Sequence, residues 1–173
     1  MYPTHFINPP HLIPLVEVVP NATTDRRFVD RVMAELYDCS FQPIVLNKEA
    51  PGFVANRLQG ALFREVLNIL EQGIADPEAI DTAVKMGVGF RWAVTGPLET
   101  ADFGGLDTFA LAAASLVPHL GTTTPVAVLQ EKAQAGHLGV KSGKGFYDYT
   151  GVDTAELTEQ RDRQLIRLKS LKS

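Results

Sequence analysis

Cysteine is almost absent from this sequence: Cys39 stands alone, which excludes an intrachain disulfide framework and any CxxC zinc site. Long apolar runs are missing too. None approaches the ~18 residues of a membrane-spanning helix, and no basic-apolar leader opens the chain. Neither a membrane span nor a signal peptide is expected, and a reducing cytoplasm is the expected setting. A basic excess is also lacking: 16 Lys and Arg face 20 Asp and Glu, a net charge of -4. Nucleic-acid binders carry clustered positive charge, so no nucleic-acid partner is expected. Repeats and low-complexity tracts are missing. What remains is an ordinary globular composition of 173 residues, 45% hydrophobic and 21% charged, with 14 Gly and 11 Pro. That is enough chain for one core, and it excludes collagen-like and wholly disordered classes.

The chain changes character near residue 50. Before it, short apolar runs are broken by prolines. Leu15-Val16-Glu17-Val18-Val19, between Pro14 and Pro20, predicts a strand, and Pro43-Ile44-Val45-Leu46 another, with proline at its first position. Between them, residues 21–25 supply helix caps, and Phe28, Val29, Val32, Met33 and Leu36 recur at helical spacing. After Pro51-Gly52 the pattern is helical. Val54, Leu58, Ala61, Leu62, Val66, Ile69 and Leu70 form a stripe that Gly73 stops. Asp76-Pro77-Glu78 starts a helix ending near Gly87, and Pro97 opens one ending near Gly104-Gly105. Residues 106–120 are apolar almost all round, the pattern of a buried central helix. Thr124-Pro125 starts another helix, ending near Gly136, and residues 153–173 predict a charged terminal helix.

His5 is the first candidate for chemistry, since imidazole exchanges protons near neutral pH once a partner fixes its tautomer. Glu17 sits mid-strand among apolar neighbours, where a charge needs a partner. If the Pro9-Pro10 and Pro14 breaks fold the chain back, the two residues lie on adjacent strands. A carboxylate on one ring nitrogen would then raise the basicity of the other. By spacing alone, a surface histidine and a strand glutamate facing water remain open. Arg57, Lys141 and Lys144 are able to meet phosphates but read as solvated surface. Cys39 reads as a buried small hydrophobe, and Trp92 as core or cleft lining. His11, His119 and His137 lack metal-ligand spacing, so no metal site is expected.

The series His5-Phe-Ile-Asn-Pro9, Leu15-Val-Glu-Val18 and Pro51-Gly-Phe-Val-Ala-Asn-Arg-Leu58 resembles the 3-hydroxyacyl-CoA dehydrogenase family. It continues with Asp81-Thr-Ala, Gly96-Pro-Leu, Gly105-Leu-Asp-Thr and Lys144-Gly-Phe-Tyr147, in the family's order over roughly residues 3 to 149. The resemblance implies a mainly α fold: a helical C-terminal domain of the 6-phosphogluconate-dehydrogenase-like type, preceded by a short β-α-β remnant of a Rossmann domain. The implied domains are 1–50 (the end of a dinucleotide-binding domain), 51–150 (helical, substrate-binding and dimerising) and 151–173 (a helical extension). It further implies that His5 is the catalytic acid/base, Glu17 its carboxylate partner and Asn56 the donor that holds the reacting oxygen.

By resemblance the reaction is NAD-dependent oxidation of a 3-hydroxy to a 3-keto group on an acyl-CoA, 3-hydroxybutyryl-CoA in particular. The alternatives are a small free 3-hydroxy acid of the L-gulonate or carnitine type, or a non-catalytic dimerisation or acyl-CoA-binding module. A homodimer through the helical domain is the implied partner. One departure is large. The GxGxxG turn that holds the NAD pyrophosphate does not occur here, Gly87-Val-Gly89 being no substitute, so no cofactor-binding residue is assigned and NAD is expected to bind weakly. Strands deprived of their usual neighbours are expected to pair with another chain or to lack order over residues 1–20.

Overall fold

The computed structural model describes residues 4–122 and 126–171. The chain divides into two compact units, one within residues 1–60 and 151–173, the other within 61–150.

In the first unit, β1 (Thr4–Phe6), β2 (Leu15–Val18) and β3 (Gln42–Val45) form a sheet in that order. The β-branched run of β2 takes the middle, where both of its faces are covered, and Val16, Val18 and Val19 are buried. β1 runs antiparallel to β2 with His5 opposite Glu17. β3 runs parallel to β2 with Ile44 opposite Glu17. Parallel neighbours need a crossover, and α1 (Arg26–Asp38) supplies it, capped by Asp25 through the Arg27 N–H. Val29 of its apolar stripe is buried, and Val32, Met33 and Leu36 are half-buried. Pro43 is the second residue of β3 rather than the first, which an edge strand tolerates. The prolines between β1 and β2 do turn the chain: the Pro9 carbonyl accepts the N–H of both Leu12 and Ile13. α8 (Thr154–Ser170), capped by Asp153, completes this unit.

α2 (Ala55–Glu71) begins in the first unit, and from Ala61 onward its residues belong to the second. Its apolar stripe divides: Leu58 and Leu62 are exposed, Val66, Ile69 and Leu70 are half-buried, and the neighbouring Leu67 is the buried one. α3 (Pro77–Ala83) starts as predicted, with Asp76 accepting the Ala79 N–H. It does not end near Gly87. Val84–Val88 widen into a π-turn and α4 (Gly89–Trp92) continues it. Gly89 permits this turn, because a Cβ there would lie 2.7 Å from the Val84 carbonyl oxygen, the acceptor of the Gly89 N–H. Glycine is required here by close approach rather than as a helix stop.

α5 (Pro97–Gly104) carries Glu99, whose carboxylate reaches back to the Gly96 N–H at 2.8 Å. α6 (Leu106–Leu116) follows across Gly105, whose φ is 87°, a backbone state that favours glycine. α7 (Ala127–Gln134) is present, while its predicted start at Thr124-Pro125 lies outside the described residues.

Three expectations of burial are corrected. No residue of α6 is buried, and Leu111 is 75% exposed. The helix is apolar all round, yet the elements packed beside it, α5 and the 3₁₀ turn at Val117–His119, are too few to enclose it. Trp92 is exposed. Cys39 is exposed as well, because α1 ends at Asp38 and Ser40, with φ 62°, turns the backbone there. Among the described residues no helix is long and apolar enough to cross a membrane. The chain is mainly α with a small β-α-β unit in front of its helices, the fold class expected.

Candidate active site

The antiparallel register of β1 and β2 puts His5 beside Glu17, and their side chains meet, with His5 Nδ1 2.7 Å from Glu17 Oε2. Glu17 is 0% exposed, whereas the His5 side chain keeps 27% exposure, so one ring nitrogen is gripped inside while the imidazole still reaches solvent. The Phe53 ring stands 5.3 Å from the His5 ring, tilted by 54°.

The second oxygen of Glu17 has a separate task. Oε1 accepts the backbone N–H of Val54 at 2.8 Å and of Ala55 at 3.0 Å. These groups open α2 and have no helical acceptor. The turn Pro51-Gly52-Phe53 offers no capping side chain of its own, and Gly52 and Phe53 take positive φ values of 77° and 48°. A left-handed Phe costs on the order of 1 kcal/mol, and the bonds from Glu17 to the two residues after it offset that cost. One buried carboxylate thus orients the imidazole and caps a helix.

Burial alone would raise the Glu17 carboxyl. The His5 hydrogen bond, the Ala55 and Val54 N–H groups and the attraction of His5 outweigh it, and the group is held below its ordinary 4.5. With the native value depressed, the unfolded chain binds more protons across that interval, so stability rises with pH there. The Glu17 contribution is complete above about pH 4.5 and is lost as pH falls through the lowered native value. Urea denaturation between pH 7 and pH 3 is expected to show a steep acid loss for the wild type and a shallower one for Glu17→Gln. Parallel slopes would refute the assignment.

Asn56 stands one residue beyond Ala55 in the first turn of α2, and its side chain is exposed. No hydrogen bond among the described residues joins it to His5 or Glu17. Arg57 is drawn to its own turn, Nη1 donating to the Pro51 carbonyl at 3.4 Å. The sequence reading missed the roles of Phe53, Val54 and Ala55. The available signal was a helix start preceded by Pro-Gly-Phe with no Ser, Thr, Asp or Asn to cap it. Among the described residues no group of three or more His, Cys, Asp or Glu is placed to hold a metal ion.

The first unit does not suit the pyrophosphate of NAD. Its strand-to-helix connection from β2 to α1 carries no glycine, and the Asp25 carboxylate caps the α1 N-terminus. That negative charge repels a phosphate where a dinucleotide fold attracts one.

Comparison with known proteins assigns both parts of the chain to one family. Residues 52–149 match the 3-hydroxyacyl-CoA dehydrogenase C-terminal domain, and residues 1–50 match the family's NAD binding domain. The 5-formyl-3-hydroxy-2-methylpyridine 4-carboxylate 5-dehydrogenase of Mesorhizobium japonicum is 36% identical over 168 residues, covering 96% of this chain and 54% of that protein. A crystal structure of an enzyme of that name, described as an NAD+-dependent dismutase, superposes with a TM-score of 0.92 at 36% identity, covering 99% of this chain and 56% of that one. The structure of (S)-3-hydroxybutyryl-CoA dehydrogenase from Ralstonia eutropha gives a TM-score of 0.59 at 34% identity, covering 86% and 52%. The chain spans about half the length of these relatives. With both of its parts matched in order, the chain belongs to the 3-hydroxyacyl-CoA dehydrogenase family, whose members are NAD-dependent oxidoreductases.

Proposed function

We propose that this chain provides the proton-handling part of an NAD-dependent dehydrogenase that interconverts 3-hydroxy and 3-keto groups on a short acyl-CoA of the 3-hydroxybutyryl type. The observation that carries this reading is the 2.7 Å contact of His5 Nδ1 with buried Glu17. A carboxylate held ionised accepts only, so Nδ1 carries the proton and the lone pair is left on Nε2. In the oxidative direction Nε2 takes the 3-hydroxyl proton; in the reductive direction it returns that proton to the 3-keto oxygen. Asn56 donates its amide N–H to the same oxygen and stabilises charge as it develops there. Residues 51–150 serve in substrate binding and dimerisation, and residues 151–173 form a helical extension. The homodimer is supported by the exposed apolar side chains of the helical part, Met86, Phe90, Phe103 and Leu111 among them, since uncovered patches of this kind mark association surfaces. A cytoplasmic setting belongs to the same proposal.

A small free hydroxy acid is the second reading, favoured by the pyridine carboxylate enzyme that matches 96% of this chain. The test is turnover of acetoacetyl-CoA with NADH, using the chain complemented by an NAD-binding domain of the family, alongside small free 3-keto acids. Reduction of the thioester at a kcat/KM at least about tenfold above the free acids is expected. The reverse ratio would move the assignment to free acids. No turnover of either class would leave a non-catalytic helical module.

A further inference from the structure

A cavity of about 450 Å³ lies within the second unit, lined by α2, α3, α7 and the loop that follows α7. It contains none of His5, Glu17 or Asn56, and its size falls in the range of roughly 300–1,000 Å³ that holds small-molecule ligands. One wall is the α2 series Phe63, Val66, Leu67 and Leu70, whose spacing places them on one helical face. Leu67 and Ile80 form a buried floor.

The polar groups of the lining are mostly satisfied. The Tyr147 hydroxyl shares its proton between the Pro77 carbonyl and Asp81 Oδ2, each at 3.0 Å. Burial and the Asp81 bond push that hydroxyl up to about 12, so it stays neutral. Asp81 itself is offset by Lys85 at 3.8 Å. Lys132 is anchored, its Nζ donating to the Gly145 carbonyl at 3.2 Å and lying 4.9 Å from the Phe146 ring centroid. Lys141 is exposed and has no ion-pair partner among the described residues. The lining therefore combines apolar walls, one compensated acid, His137 and two lysines without an acidic partner among the described residues, of which Lys132 is held by the Gly145 carbonyl and Lys141 is exposed. That combination suits an apolar body with an anionic head, which the exposed Lys141 is free to meet, and it disfavours a neutral polar ligand.

We propose that this cavity is a binding site for a straight-chain fatty carboxylate, the alkyl chain lying along Phe63, Leu67 and Leu70 and the carboxylate meeting Lys141. The site is independent of the dehydrogenase reading, because it uses residues of the second unit alone.

Calorimetric titration of the full chain with sodium decanoate below its micelle threshold, and with decan-1-ol, tests this. One saturable decanoate site is expected. Lys141→Ala should weaken decanoate about fivefold while leaving decan-1-ol unchanged, the size of a partly exposed ion pair. Ala133→Trp, which fills the cavity from α7, should weaken both ligands more than about tenfold. Absence of saturation overturns the proposal, as does equal decanoate affinity in Lys141→Ala. So does a folded Ala133→Trp that binds normally; if that variant does not fold, the Lys141 comparison decides. Decanoate binding that disappears as protein concentration rises into a dimeric range also overturns it, and assigns the cavity to a second copy of the chain.

Discussion

Replacing Glu17 by Ala is expected to destabilise the protein by about 3–5 kcal/mol, the sum of a vacated core volume and two orphaned helix-start donors. The side chain is fully buried, and its two oxygens serve His5, Val54 and Ala55. No neighbouring carboxylate among the described residues bonds these groups in its place. The left-handed Phe53 turn is held from the same point, so the start of α2 is expected to fray with it. Glu17→Gln separates the contributions. Its amide oxygen still accepts from Val54 and Ala55, so the loss is expected to be only about 1–2 kcal/mol. Urea denaturation followed by far-UV circular dichroism measures both. A loss below about 1 kcal/mol for Glu17→Ala would show that water satisfies the freed donors.

The second large effect falls on rate. His5→Gln, in the complemented assay, is expected to lower kcat by about 10²–10⁴, the usual worth of a positioned acid/base, with little change in KM. Glutamine still fills the space and still bonds Glu17, but it exchanges no proton near neutral pH. Because His5 is partly exposed, thermal stability should hardly move, which separates loss of chemistry from loss of fold. Glu17→Gln should also be slow, for a different reason. An amide N–H facing Nδ1 makes that nitrogen an acceptor and sends the proton to Nε2, where the lone pair is needed. Activity of His5→Gln within about threefold of wild type would remove the acid/base role.

Much of the fold was legible in the residues themselves. β-branched runs beside prolines located two of the three strands and period-3.6 patterns most helices, since an apolar stripe must face something wherever the chain goes. Helix starts were equally readable at Asp25, Asp76 and Pro97, because a capping side chain or a proline in the first turn acts locally. Gly87 misled, because a glycine signals backbone freedom without saying how that freedom is used; here the neighbouring Gly89 serves a π-turn and the helix runs on. The apolar circumference of α6 recorded that this helix prefers to be covered, yet composition does not name the covering surface, and among the described residues none encloses it.

The candidate site divides along the same line. An isolated glutamate in a β-branched strand and a histidine behind two prolines already posed the question of a partner, because a charge among valines has to be compensated. By itself the sequence therefore determined which groups were available and which of them were in need. Tertiary structure decided who met whom: the antiparallel register set His5 against Glu17, and the return of the chain at residue 54 brought two unpaired N–H groups to the same carboxylate. Those contacts join positions far apart in the chain, and register and chain return are properties of the folded backbone rather than of any local pattern.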